Sequence, residues 1–140
     1  RRRCPLPPPK YLKRLGRPKS LMDLEQHWAV YYLNRGVADW RFTDVRSDTF
    51  VRPAAALRAN NGDMMLDATL AGLGLALLPT FIVGAALKAG SLVDIGIGQA
   101  APEFIYVAHP EGRRASAKLR ALVDCLREAF GDPPYWDVAD

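Results

Sequence analysis

Reactive chemistry in this chain would have to start from two histidines, two cysteines and a pair of aspartates at helical spacing. His27 and His109 stand outside zinc-ligand spacing and read as structural or surface residues. Cys4 and Cys125 lie near opposite ends, too few for a disulfide framework, and Cys125 falls beside an apolar helical stripe as half-buried filler. Asp63 and Asp67 are one helical turn apart, but two carboxylates do not make a protein-built cation site. No serine sits in a Gly-x-Ser-x-Gly elbow. Gly72-Leu73-Gly74 follows a helix instead of a strand and lacks the third glycine of a dinucleotide fingerprint, so it reads as a helix stop. The expectation is of no enzyme, with no catalytic residue, metal or cofactor.

What remains is two helix beginnings. Asn60-Asn61-Gly62-Asp63 and Pro79-Thr80-Phe81 each follow a strand-like run. In open α/β sheets ligands bind outside the carboxyl ends of the strands, where free backbone N–H groups at helix starts can hold an anionic group. Asn61 can also cap its own helix, and the two roles do not exclude each other.

The elements that must position these groups follow from local pattern. Pro5, Pro7, Pro8 and Pro9 predict extended backbone with no regular ladder. One or two helical turns over 10–15 end at Gly16 and Pro18, and Ser20 with Asp23 resembles a capping box for a short helix ending near His27. Residues 28–33 read as a buried strand, Arg35-Gly36 as a turn, 40–42 as a half-buried strand, and 50–59 as one strand held to a sheet edge by Pro53. The helix from Gly62 to about Leu73 is apolar around most of its circumference and should be largely buried. A wholly apolar strand at 75–78, a helix through Lys88 closed by Gly90, and strands at 92–95 and 104–108 come next. Leu119, Leu122, Val123, Leu126 and Phe130 then form one stripe of a final helix, with Ser116 as N-cap and Gly131 after its end. Strands alternating with helices make an α/β protein with a mainly parallel sheet.

Composition agrees with a globular domain: 49% of residues are hydrophobic and 24% charged. The longest apolar run, 73–79, falls well short of the ~18 residues that cross a bilayer. The net charge of +4 divides unevenly. Arg1, Arg2, Arg3, Lys10, Lys13, Arg14, Arg17 and Lys19 fall within the first twenty residues, which hold no acid, so the remainder is mildly acidic. This basic stretch reads as a solvated leader, since no helix-turn-helix or zinc-finger spacing follows it.

Taken in order, the segments Pro9-x-Tyr11-Leu12, Gly16-x-Pro18, Asp23-Leu24 and His27, Trp40-x-Phe42, and Asn60-Asn61-Gly62-Asp63 form a pattern. It continues with Ala71-Gly72-Leu73-Gly74-Leu75-Ala76-Leu77-Leu78-Pro79 and Gly90-x-Leu92-Val93. It closes with Tyr106-Val107-Ala108-His109-Pro110 and the run from Ser116 to Asp124. The ordered set, over about residues 9–136, resembles the C-terminal part of LysR-type transcriptional regulators. The resemblance implies a periplasmic-binding-protein-like (type 2) fold with two lobes and an effector held between them. Residues 1–8 are a basic, Pro-rich leader, 9–98 the second lobe, 99–136 the return crossover with a strand and closing helix of the first lobe, and 137–140 a tail. It further implies a small-molecule effector, an anionic one among the candidates, a homo-oligomer, a cytoplasmic setting, no membrane, and DNA contact only through an N-terminal reader absent from this chain. The site residues it implies are Tyr32 and Asn34 at a strand end, with Asn61, Asp63, Pro79 and Phe81.

The family enters the second lobe on an apolar crossover strand, where this chain has a proline-rich segment expected to make none. The expectation is therefore a truncated or frame-disrupted product, or a fragment, with the closing helix loosely docked or exposed. A transporter's solute-binding protein shares the fold, as do enzymes that would need a catalytic group in the cleft, and both remain open on the sequence alone.

Overall fold

The computed structural model describes residues 3–33, 40–43, 48–98, 106–110 and 116–137. A four-stranded sheet lies at its centre, built from β1 (Arg3–Leu6), β2 (Trp28–Tyr32), β5 (Ala54–Ala59) and β6 (Leu75–Pro79) in the order β1-β6-β2-β5. β2 runs parallel to both β5 and β6, whereas β1 is antiparallel to β6. A separate antiparallel pair joins β3 (Trp40–Thr43) to β4 (Asp48–Val51). The helices are α1 (Pro9–Leu15), α2 (Gly62–Ala71), α3 (Thr80–Lys88) and α4 (Ala117–Phe130), with a 3-10 turn at Met22–Gln26.

Alternation along the central strands divides the core into two layers. Ala29, Tyr31, Leu75 and Leu77 face Tyr11, Leu24, Trp40, Phe42 and Val51. Val30, Ala76 and Leu78 face Leu6, Met65, Val83 and Leu92 beneath α2 and α3. All five residues of β6 are buried, as a strand covered on both sides requires.

Several expectations need correction. The first segment does form a strand: Arg3 through Leu6 pair with Pro79 through Ala76 despite Pro5. A proline is tolerated because β1 is an edge strand, with β6 on one side only. The other side explains why residues 92–95 form no strand. Val93 N–H donates to the Pro7 carbonyl at 2.9 Å and Ile95 N–H to the Pro5 carbonyl at 3.5 Å. Proline has no N–H to return, so the segment is tethered without a ladder. Within the basic stretch, residues 9–15 form α1. Although Lys10, Lys13, Arg14, Arg17 and Lys19 are exposed, Arg14 donates to the Gly72 carbonyl at 3.1 Å and Arg17 to that of Asp94 at 3.3 Å.

The expected single strand over 50–59 is two strands in two sheets, broken at Arg52-Pro53. In α2 only Met65 and Thr69 are buried, and Met64 is 57% exposed, so the helix is less enclosed than its composition implies. Thr69 enters the core by returning its hydroxyl to the Met65 carbonyl at 2.7 Å. Tyr106, Val107 and Ala108 form no strand and are exposed, while Phe104 and Ile105 lie outside the described residues, as does the Arg35-Gly36 turn. Cys125 is exposed, not half-buried. The capping box is present, with Ser20 N–H donating to Asp23 and Asp23 N–H to the Ser20 hydroxyl.

Gly72 ends α2 at a φ of 88°, a left-handed turn open to glycine. At Gly74 a Cβ would lie 2.6 Å from the Trp28 carbonyl oxygen, so the entry to β6 can pass close to β2 only without a side chain.

One side chain ties α1 to the start of β2. The Tyr11 hydroxyl, on a residue only 1% exposed, accepts from the Trp28 N–H at 3.0 Å and lies 3.2 Å from His27 Nδ1. It donates to that nitrogen only if the imidazole is neutral there. Burial pushes the His27 pKa down, against a smaller upward pull from Asp23. Replacing Tyr11 by Phe leaves a part-buried N–H and a buried imidazole nitrogen unpaired. A loss of about 1–3 kcal/mol in urea unfolding is expected.

A second expectation concerns pH. With the folded-state His27 pKa depressed, the unfolded chain binds more protons once pH falls through the ordinary histidine value of about 6.5. Stability is therefore full above that pH and declines as pH falls toward the folded-state value. Urea midpoints at pH 7.5 and 5.5 should differ for the wild type and differ less for His27→Gln.

Candidate functional site

The three parallel strands end on one edge, and register fixes what gathers there. Tyr32, the last residue of β2, pairs with Ala59, the last of β5. Pro79 ends β6 opposite Arg3. The β2–β6 ladder consists of Ala29–Leu75 and Val30–Ala76 among the described residues. Beyond it β2 continues paired to β5, and β6 to β1. The ladder between the two central strands thus stops short of their carboxyl ends, the edge on which α2 and α3 begin. Those helix starts abut: a Cβ on Gly62 would meet Ile82 Cδ1 at 2.5 Å.

The sites foreseen from sequence divide accordingly. Tyr32 is 37% exposed at the end of β2, and Phe81 is 49% exposed on the first turn of α3. Asn61 and Asp63 are exposed at the start of α2, and Pro79 is buried at the end of β6. Asn34 lies outside the described residues.

The two helix starts differ electrostatically. The Asn61 carboxamide oxygen accepts from the N–H groups of Asp63 at 2.8 Å and Met64 at 3.1 Å. With that cap in place and the Asp63 carboxylate in the first turn, the positive end of α2 is already answered. α3 has Pro79 as N-cap, no side-chain cap and no acidic residue in its first turn. The Thr80 hydroxyl beside it is buried with no hydrogen-bond partner. Of the two starts, α3 keeps the capacity to hold a negative group.

Elsewhere, a cavity of about 360 Å³ lies against α4, lined by Val107, His109, Leu119, Arg120, Val123, Asp124 and Arg127. It includes none of the foreseen site residues. Among the described residues no group of three or more His, Cys, Asp or Glu could hold a metal ion, and no helix is long and apolar enough to cross a membrane. The sequence reading passed over two features. Asp23, four residues before His27, acts on that imidazole through space. The aromatic run Tyr135-Trp136 returns to α3, placing the Phe81 and Trp136 rings 6.4 Å apart. The i−4 spacing could have revealed the first, whereas no local signal foretells the second.

Comparison with known proteins places this architecture. The family profile described as the LysR substrate binding domain matches residues 1–131. The chain is 32% identical over 122 residues to the HTH-type transcriptional regulator YhjC of Escherichia coli K12, covering 84% of this chain and 41% of that protein. It is 32% identical over 97 residues to the HTH-type transcriptional regulator PtxR of Pseudomonas aeruginosa, covering 69% and 31%. It therefore spans less than half the length of these relatives. The fold is similar to the cumene hydroperoxide-treated regulatory domain of AphB from Vibrio vulnificus, with a TM-score of 0.70 at 22% identity, covering 88% of this chain and 62% of that one. It is also similar to the CrgA regulatory domain of Neisseria meningitidis, with a TM-score of 0.64 at 20% identity, covering 93% and 65%. The architecture is thus the periplasmic-binding-protein-like type 2 fold of these regulatory domains. With the match running from the first strand into the turn after α4, the chain belongs to the LysR substrate-binding-domain family.

Proposed function

We propose that the chain is the effector-sensing part of a cytoplasmic, homo-oligomeric LysR-type transcription regulator, with no catalytic role. Family membership supports this reading together with one observation: the uncapped start of α3, with its buried and unpartnered Thr80 hydroxyl, on the edge where the β2–β6 ladder has already ended. The lobe comprises residues 9–98 together with β1, whose pairing joins the leader to the sheet. By analogy with the family, residues 99–136 are assigned to the return crossover and the first lobe, and contact with DNA to the regulator's reader domain.

In this reading the effector is a small molecule with an anionic group and an apolar body. The anion lies at the first turn of α3, which has no side-chain cap and no acidic residue of its own. Phe81 and Tyr32 supply exposed aromatic surface at this edge, with Pro79 buried between strand and helix. Asn61 contributes its amide NH2, its carboxamide oxygen being engaged in the cap. Asn34, two residues after Tyr32 and outside the described residues, remains a candidate on its sequence position alone. Asp63, at the capped start, discriminates against ligands with a second negative charge near α2. An effector that favours one lobe geometry shifts the oligomer toward the DNA-binding state with that geometry.

A panel of small mono- and dicarboxylates, titrated into the purified chain and followed by backbone amide NMR, tests this proposal. At least one should shift the signals of Thr80, Phe81 and Gly62 before those of α4. Asn61→Ala should cost ~1 kcal/mol of stability through the lost cap and weaken that ligand by a larger factor. An unchanged affinity beside a lowered melting temperature would make Asn61 a cap and nothing else. A panel that moves no amide at this edge would overturn the site.

A further inference from the structure

The segment after α4 turns back onto the lobe. Gly131, at a φ of 78°, closes the helix with its N–H donating to the Arg127 carbonyl. Tyr135 N–H then donates to the Phe130 carbonyl at 2.9 Å, and Asp137 N–H to that of Pro134 at 2.8 Å. These bonds fold the tail into a compact hook carrying Trp136. The Trp136 ring makes edge contacts with Tyr135 at 4.7 Å, Phe130 at 5.3 Å and Phe81 at 6.4 Å. Such geometry suits the positive edges and negative faces of aromatic rings.

α3 has a seat for the hook. Gly84 lies in the helix interior, where glycine weakens a helix. A Cβ there would lie 3.2 Å from the Trp136 carbonyl oxygen and 3.7 Å from its Cβ. The glycine thus permits the close approach of the tail. Phe81 and Gly84 are three residues apart, so both occupy one face of α3. No residue of α4 is buried, and Leu122 is 51% exposed.

We propose that residues 131–137 are a latch, seated on α3 by Trp136 against Phe81 and Gly84, that fastens α4 to the lobe. Because Phe81 also faces the edge where the strands end, displacement of its ring releases Trp136 and with it α4. The latch itself stands independently of effector binding. Only its use as a signal from the carboxyl edge rests on the site proposed above.

Hydrogen exchange of the full chain, with no ligand added, tests both parts. In the wild type, α4 amides should exchange more slowly than open chain. Trp136→Ala and Gly84→Val should accelerate α4 exchange by about tenfold or more while leaving β6 protected, and Trp136→Phe should keep most of the protection. Phe81→Ala should release α4 in the same way. Wild-type α4 exchanging at open-chain rates, or unaltered by Trp136→Ala, would overturn the latch. Release by Trp136→Ala but not by Phe81→Ala would overturn the link to the edge and leave the latch. Should Gly84→Val or Phe81→Ala also unprotect β6, Trp136→Ala decides the latch and Phe81→Leu the link. This result is read without any carboxylate, so its failure is distinct from failure of the proposed effector site.

Discussion

The constraint on which the structure depends is the complete burial of β6. Leu75 through Pro79 present no polar side chain to either face, so each face must be covered by apolar side chains and each edge by another strand. Leu75 and Leu77 pack with Tyr11, Trp40 and Phe42, and Ala76 and Leu78 with Met65 and Val83. Along its edges, β2 supplies two parallel pairs and β1 four antiparallel ones. The need to satisfy the backbone of a buried strand recruits β1 despite its proline. The same need makes Gly74 necessary where β6 begins, since its backbone passes against the Trp28 carbonyl.

That arrangement also makes the candidate site. The β2–β6 ladder ends at Val30–Ala76 among the described residues, while β6 runs on beside β1 and β2 beside β5. The later residues of both strands, toward their carboxyl ends, therefore have no β2–β6 pairing among the described residues. The helices beginning there bring unequal fields: α2 answers its own N-terminal charge through Asn61 and Asp63, whereas α3 starts on a proline that cannot cap. Sequence reading treated the two starts alike. The difference lies in which N–H groups already have acceptors, which emerges only when the hydrogen bonds are known.

α4 illustrates the opposite regime. Its stripe is the clearest helical pattern in the chain, yet none of its residues is buried. Amphipathicity specifies that a helix wants a partner and says nothing of which partner it finds. Here one contact is made by the hook that follows, in which Trp136 meets Phe81 from α3, while Val107 and His109 line a cavity along the stripe. A distant aromatic pair thereby connects the end of the chain to the helix at the strand ends.

Local chemistry written in the sequence determined the helices, several of their ends, and family membership. Asn61 and Ser116 cap their helices, Gly72 ends α2 in a left-handed turn, and Ser20 with Asp23 closes a capping box, all interactions within a few residues. The ordered motifs from Pro9 to Asp124 carried the LysR resemblance because their spacing reflects the same alternation of strands and helices. Tertiary structure decided the rest. Pro5 argues locally against a strand, yet an edge position removes the penalty for its missing N–H. Residues 92–95 argue locally for a strand, yet opposite Pro5 and Pro7 their bonds run one way only. Whether residues 50–59 form one strand or two depended on which sheet each half joined. The meeting of Tyr11 with His27, and of Trp136 with Gly84, depended on chain segments brought together from a distance, information carried by the fold and by no local window of residues.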